Sequence, residues 1–218
     1  MDAPTGEDCD SVRSEKTHIL KAVKPLSPAD VVRGQFRGYR QEAGVAPDSR
    51  VETYAAVRLF IDTWRWAGVP FFLRAGKCMP LTMNEVVVQF KHPPRATFNE
   101  KTPPMANHFR LRLSPEVIIA QGVRVKVPGE GMKGEDVELI ANHQQPDEMS
   151  PYERLLGDAL HGDQALFTPD QSVEAQWRIV QPILGDTSAP DEYEPNTWGP
   201  ADADAMIEPM GGWVNPDR

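Results

Sequence analysis

Cysteine is scarce in this chain, and long apolar runs are missing altogether. Cys9 and Cys78 are the only two cysteines among 218 residues, so no disulfide framework can form, and this usage predicts a reducing compartment. No apolar run approaches the length that a membrane span needs, and the first residues are acidic where a secretory signal would be basic. We therefore expect a cytoplasmic protein that does not enter a membrane.

Basic residues are outnumbered by acidic ones. Lys and Arg total 23 against 32 Asp and Glu, which gives a formal net charge of -9. Nucleic-acid binding needs clustered cations that neutralise phosphates, so this balance argues against a nucleic-acid partner. It still allows a small anion in a local cationic pocket. The 5 histidines are scattered without metal-ligand spacing, so no metal site is predicted.

The residues that are present predict an α+β fold. Hydrophobic residues make up 40% and charged residues 25% of the chain, as in globular proteins, and the length suits one large domain or at most two small ones. Helical periodicity predicts a leading helix within residues 1–24. Short strand-like runs predict a large, mainly antiparallel sheet over residues 30–149, and helices with a Pro-rich tail are expected over residues 150–218.

Two capping boxes mark helix starts after residue 149. Ser150-Pro-Tyr-Glu153 and Thr168-Pro-Asp-Gln171 each place a hydroxyl residue three positions before Glu or Gln, with Pro at the first helical position. Gly162 and Gly185 are the predicted ends of these two helices. Pro200 is a candidate start for a short final helix.

The stretch from Val51 to Lys91 contains the most distinctive strand. Residues 69–73 are apolar on both faces, which predicts a central strand. Gly76 and Lys77 follow, so a ligand can approach the backbone closely and an ammonium group lies at the sheet rim. Lys77 is thus a candidate ligand contact, although a lone lysine is more often simply solvent-facing.

A literal G-x-G-x-x-G occurs at Gly129, Gly131 and Gly134. A dinucleotide fingerprint must open a helix, whereas acidic, strand-like residues follow here. A Gly-rich hairpin loop explains the same residues and is the favoured interpretation.

Three basic residues, His108, Arg110 and Arg112, alternate along one predicted strand. They share one face of the strand and are able to bind an anion. Cross-strand ion pairs explain the same pattern, and we favour ion pairs.

Six segments carry long motifs in a characteristic order: Val31-Val-Arg-Gly-Gln-Phe36, Thr53-Tyr-Ala-Ala-Val-Arg-Leu, Trp66-Ala-Gly-Val-Pro-Phe-Phe-Leu-Arg-Ala-Gly-Lys77, Glu85-Val-Val-Val-Gln-Phe90, Tyr152-Glu-Arg-Leu-Leu-Gly-Asp-Ala-Leu-His-Gly-Asp-Gln-Ala-Leu-Phe167 and Trp198-Gly-Pro200. Together they resemble the C-terminal half of glucose-6-phosphate dehydrogenases. The resemblance runs from the first residues nearly to Trp213.

The resemblance implies a large, mainly antiparallel sheet with helices against it. In the family this domain forms one wall of the sugar-phosphate cleft and carries the subunit interface. The family oxidises glucose 6-phosphate to 6-phosphogluconolactone, in the oxidative pentose phosphate pathway, and passes the hydride to NADP. Lys77 falls on the lysine of the family's Arg-x-Gly-Lys signature, which contacts the substrate. The resemblance therefore implies glucose 6-phosphate as ligand and a homo-oligomer formed through the sheet.

Some positions depart from the family pattern. Thr82 and Ser114 stand where some relatives carry Arg and Gln, so no secondary substrate contacts are predicted. Arg112 and Trp213 fall on positions that bind a second, structural NADP in animal enzymes, which makes such a site here a hypothesis. The alternatives are a strand-face charge for Arg112 and a tail anchor for Trp213.

The family's catalytic His, its orienting Asp and its coenzyme-binding fold match nothing in this sequence and would precede Met1. We therefore predict no catalytic residue. We expect the substrate-binding and oligomerisation half of an NADP-dependent enzyme, inactive alone. The alternative is a non-catalytic scaffold, or a sugar-phosphate sensor, that has kept the fold.

Overall fold

The computed structural model describes residues 3–4, 6, 8–95, 97–98, 106–129, 131–143, 149–164, 166–185 and 188–216. The helices are α1 (Cys9–Ala22), α2 (Pro151–His161), α3 (Asp170–Val180) and α4 (Ala201–Ile207). The strands are β1 (Val31–Phe36), β2 (Tyr54–Phe60), β3 (Pro70–Gly76), β4 (Asn84–Gln89), β5 (His108–Ser114), β6 (Val117–Lys126), β7 (Gly134–His143) and β8 (Asp191–Tyr193).

The strands form two four-stranded sheets. The first sheet has the order β3-β2-β1-β8 and the second has the order β4-β5-β6-β7. All pairings between these strands are antiparallel except that of β1 with β8. The predicted α+β class with mainly antiparallel pairing is confirmed, with the strands distributed over two sheets.

The chain divides into two compact units. The first unit comprises Met1–Pro80 and Met149–Trp213, and the second comprises Leu81–Glu148 and Val214–Arg218. The first sheet and the four helices belong to the first unit, and the second sheet belongs to the second unit.

In the first unit, α1 packs against α3. Asp8 caps α1 because its side chain accepts a hydrogen bond from the Ser11 backbone N–H at 2.8 Å. Midway along the interface, the hydroxyls of Thr17 and Ser172 share a hydrogen bond of 2.5 Å. Directly after α1, Val23 forms an isolated bridge to Ile61, the residue that follows β2.

The prediction that residues 69–73 form a central strand is wrong. These residues lie largely in β3, which occupies an edge of the first sheet, and Leu73 is 50% exposed. An apolar run does not reveal how many neighbouring strands flank it. Here aromatic side chains pack on β3, which has only one neighbouring strand in its sheet. Trp66 packs on Phe71, and Trp213 packs on Phe72.

The helix-start predictions had different outcomes. The Ser150 Oγ accepts from the Glu153 N–H at 3.3 Å, which confirms Ser150 as the cap of α2. The start predicted at Thr168 is wrong: α3 begins at Asp170 with Pro169 at its cap, and no side chain caps it. The final helix α4 does begin directly after Pro200.

Tyr54 lies at the centre of the core of the first unit. Its side chain is 1% exposed and packs with Ala56, Tyr193 and Ala203. A Cβ at Gly199 would lie 2.5 Å from the Tyr54 ring, so only glycine leaves room for this ring. The Tyr54 hydroxyl is buried without a hydrogen-bond partner in the described structure, and burial raises its pKa to about 12.

We predict that Tyr54→Phe keeps or raises the free energy of unfolding at pH 7, by up to about 1 kcal/mol, because it removes a buried polar group without a partner. In alkali the wild-type protein should lose stability as the pH rises from 10.0, where the unfolded tyrosine ionises, to about 12, where the folded one does. Urea unfolding at pH 7 to 11 measures both effects. If the two proteins depend on pH identically, the burial of this hydroxyl is disproved.

Candidate functional site

The backbone of Lys77 is held from two sides at the end of β3. Its N–H donates to the Thr53 carbonyl at 2.8 Å, and its carbonyl accepts from the Tyr193 hydroxyl at 2.8 Å. Thr53 directly precedes β2, and Tyr193 is the last residue of β8. Residues directly before β2 and at the end of β8 therefore fix the backbone of this one residue.

The Tyr193 hydroxyl connects several segments at this rim. It lies 3.2 Å from the Thr53 Oγ1, which accepts from the Phe36 backbone N–H at 2.9 Å. Burial raises the pKa of Tyr193 above its ordinary value. The hydroxyl therefore stays protonated near neutral pH and keeps donating to Lys77.

The side chain of Lys77 contrasts with its fixed backbone. It is exposed, and its ammonium group makes no hydrogen bond or ion pair with any residue that the structure describes. Directly after it, Cys78 adopts a φ of 52°, and its carbonyl accepts from the Asn196 N–H at 2.7 Å. The rim thus presents an unneutralised cation with three donors on a fixed turn, which suits an anionic ligand.

The basic face of β5 in the second unit is neutralised instead. Arg110 donates to Glu138 through Nε at 2.9 Å and Nη2 at 2.5 Å, and Arg112 donates to Glu85 at 3.0 Å. The Arg110 guanidinium lowers the pKa of the Glu138 carboxyl, and Glu138 raises the pKa of Arg110. The structure therefore contains the cross-strand ion pairs that the sequence favoured.

His108 lines a cavity of about 260 Å³ in the second unit. The ring is buried, and its Nε2 lies 3.6 Å from Glu138. A Cβ at Gly122 would lie 2.1 Å from the His108 ring, so glycine is required opposite it. Arg110, Glu138 and Asp136 also line this cavity, which therefore has walls of mixed charge.

Arg112 and Trp213, the candidates for a structural NADP, both have partners within their own units. Glu85 binds Arg112. The Trp213 Nε1 donates to the Ala203 carbonyl at 2.9 Å, and the Arg74 guanidinium carbon lies 4.6 Å from the ring centroids of both Trp198 and Trp213. Both candidate groups are thus engaged with other residues of the chain.

The glycine-rich motif forms a hairpin connection. Lys126 and Gly134 pair at the ends of β6 and β7, and the Val127 N–H donates to the Lys133 carbonyl at 2.9 Å. A strand follows Gly134, whereas a dinucleotide site requires a helix there. The hairpin prediction is confirmed for the residues described, which exclude Glu130.

Sequence reasoning missed the parts of the Lys77 rim that come from residues 191–198. Tyr193 and Asn196 belong to a stretch for which the sequence predicts only a Pro-rich tail. A strand of three residues gives no periodic signal, and the parallel pairing of β8 with β1 joins segments far apart in the sequence. The motif Trp198-Gly-Pro200, two residues after Asn196, is the nearest sequence signal to these two residues.

Two kinds of feature are absent from the described residues. They contain no group of three or more His, Cys, Asp or Glu placed to hold a metal ion. Among the helices described, none combines the length and apolar character needed to cross a membrane.

Solved structures with this fold include two relevant relatives. Glucose-6-phosphate 1-dehydrogenase from Mycobacterium avium has a TM-score of 0.91 and 39% identity, over 100% of this chain and 47% of that chain. A glucose-6-phosphate dehydrogenase in complex with its substrate glucose 6-phosphate has a TM-score of 0.85 and 27% identity, over 100% of this chain and 48% of that chain.

Sequence comparison agrees with the structural comparison. Glucose-6-phosphate 1-dehydrogenase 1 of Mycobacterium bovis is 37% identical over 99% of this chain and 46% of its own length. The family model for the glucose-6-phosphate dehydrogenase C-terminal domain matches residues 1–214. The chain belongs to this family. It spans about half the length of the curated relatives that it matches.

We predict that Tyr193→Phe lowers the free energy of unfolding by about 1 kcal/mol, because the Lys77 carbonyl loses its donor. Amide exchange at Lys77 should become faster as its backbone loosens. Tyr54→Phe is the matched control, since it removes a hydroxyl that has no partner. Urea unfolding and hydrogen exchange measure the two variants, and indistinguishable results would contradict a role for the Tyr193 hydroxyl.

Proposed function

We propose that this chain is the substrate-binding and oligomerisation half of an NADP-dependent glucose-6-phosphate dehydrogenase. The observation that carries this proposal is Lys77: it directly follows β3, its backbone N–H and carbonyl each make a hydrogen bond of 2.8 Å, and its side chain is exposed. In a family named for its action on glucose 6-phosphate, an unneutralised cation at a fixed rim is suited to that anion.

The chemistry divides between two halves of such an enzyme. Oxidation of the sugar at C1 needs a base for the hydroxyl proton and a coenzyme that accepts the hydride. We assign the base and NADP to the half of the relatives that this chain does not match. The share of this chain is then to bind and position glucose 6-phosphate through Lys77, with the lysine N–H groups donating to anionic or hydroxyl oxygens.

We predict that Lys77→Ala weakens the binding of glucose 6-phosphate to this chain by about tenfold or more, because a charge-assisted hydrogen bond is lost. Lys77→Arg should retain part of the affinity, since the charge remains. Lys21→Ala removes another exposed lysine and should change nothing. Isothermal titration calorimetry at low salt measures all four proteins.

A non-catalytic scaffold or sugar-phosphate sensor is the alternative function. A sensor would bind glucose 6-phosphate through Lys77 without needing a further half, and a scaffold would not bind it at any concentration. NADPH formation by the pure 218-residue chain at the rate of a whole enzyme would contradict the proposal that it is one half.

The oligomerisation part of the proposal rests on the apolar face of the second sheet, opposite the face that carries Arg110 and Arg112. We define this apolar face by Val86, Val88, Phe109, Ile119 and Leu139. Val88 on β4 pairs with Phe109 on β5. Phe109 pairs with Gln121 on β6, and Gln121 pairs with Leu139 on β7, so these residues lie on one face of the sheet. Ile119 is 53% and Leu139 is 61% exposed. An exposed apolar surface across all four strands is typical of a protein–protein interface, and we propose that a second copy of this chain covers it.

We predict that Ile119→Asp converts the self-associated protein to a monomer, because a two-fold interface would bring two added carboxylates together in an apolar contact. The substitution should leave the fold intact, since Ile119 is about half exposed. Analytical ultracentrifugation measures the oligomeric state, with Leu156→Asp on α2 as the control. A wild-type protein that stays monomeric at high micromolar concentration would contradict the proposed interface.

A structural NADP bound through Arg112 and Trp213 stays a prediction. Because Arg112 already pairs with Glu85 and Trp213 already packs with Arg74, we expect binding at these positions to require displacement of those partners.

A further inference from the structure

Helix α2 exposes its apolar side. Tyr152, Leu156 and Leu160 are 80%, 65% and 88% exposed, and no residue of α2 is buried. Residues spaced by four lie on one side of a helix, so these three form a continuous stripe. We call this stripe the α2 surface.

The helix is well formed although nothing in the described structure covers it. Ser150 caps its start, and Gly162, at a φ of 73°, ends it. No described helix or strand makes extensive contact with it. A helix of 11 residues is marginal in water by itself, and most helical stability comes from tertiary packing of the apolar side. The α2 surface therefore has the properties of a protein-binding surface.

The start of α1 lies beside the end of α2. The Arg13 Nη1 donates to the Gln164 Oε1 at 3.3 Å, and the Cys9 Sγ lies 4.0 Å from the Asp163 Oδ1. A polypeptide segment placed ahead of α1 would therefore enter the molecule next to the C-terminal end of the α2 surface. The relatives have such a segment: the matched region is a C-terminal domain and covers only 46% to 48% of their length.

We propose that the α2 surface docks the amino-terminal half that the relatives carry ahead of the matched region, in the same chain or as a separate one. This inference rests on the proposed function as one half of an enzyme. The partner must offer an apolar groove that receives Tyr152, Leu156 and Leu160 as anchors, as in helix-in-groove recognition. A second copy of this chain is the competing occupant, but the apolar face of the second sheet already offers a separate surface for self-association.

The test measures amide exchange of α2 by mass spectrometry. The probe is the amino-terminal half of the Mycobacterium avium enzyme, supplied as a separate chain and also joined ahead of residue 8 of this chain. We expect exchange of the α2 amides to slow by about tenfold or more when the halves dock. The double variant Leu156→Asp, Leu160→Asp should lose this protection, and Ile119→Asp on the second sheet should keep it.

The isolated chain provides a second measurement. Because both leucines are exposed, the double variant should unfold at the same urea concentration as the wild type. Unfolding of the double variant would overturn the proposal. So would self-association that is lost in the double variant but kept in Ile119→Asp. A third contrary result is α2 exchange that stays unchanged in the joined protein although the added half is folded, as shown by its own slow exchange. Neither measurement uses glucose 6-phosphate. A failure of Lys77 to bind this ligand would therefore appear in the calorimetry alone and would leave the α2 result unchanged.

Discussion

The hydrogen bond from the Tyr193 hydroxyl to the Lys77 carbonyl, 2.8 Å long, is the interaction on which the candidate site depends. It joins β8 to the end of β3 across the sheet, and the Thr53 carbonyl holds the Lys77 N–H from the other side. The backbone of Lys77 is thereby fixed, whereas its long side chain stays flexible and its ammonium group stays exposed to a ligand. Preorganised backbone reduces the entropy lost when such a side chain binds a ligand.

Charge and apolar surface are arranged differently in the two units. On the basic face of β5, Arg112 pairs with Glu85 on the neighbouring strand β4, and Arg110 pairs with Glu138 on β7, beyond β6, whereas Lys77 in the first unit is exposed. The ion-paired face of the second sheet is backed by an apolar face, and the α2 surface is apolar as well. We interpret the paired face as structural, the two apolar surfaces as protein contacts and Lys77 as the ligand contact.

Much of the fold was predictable because local patterns determine it. The period of α1, the Ser150 cap and the β5–β7 meander all follow from residues close together in sequence. Lys77 was identifiable as a strand-ending cation, and the family resemblance added its expected role. The edge position of β3 and the contribution of Tyr193 were not predictable, since both depend on pairing between distant segments. Pairing of that kind leaves no period in the sequence.

The most direct measurement is an amide NMR titration of the 218-residue chain with glucose 6-phosphate, using glucose as the unphosphorylated comparison. If the rim at the end of β3 holds the sugar phosphate, the resonances of Gly76, Lys77 and Cys78 shift with glucose 6-phosphate and stay in place with glucose. The absence of any shift at these three residues, or shifts confined to the second unit, would contradict the assignment of Lys77 as the ligand contact.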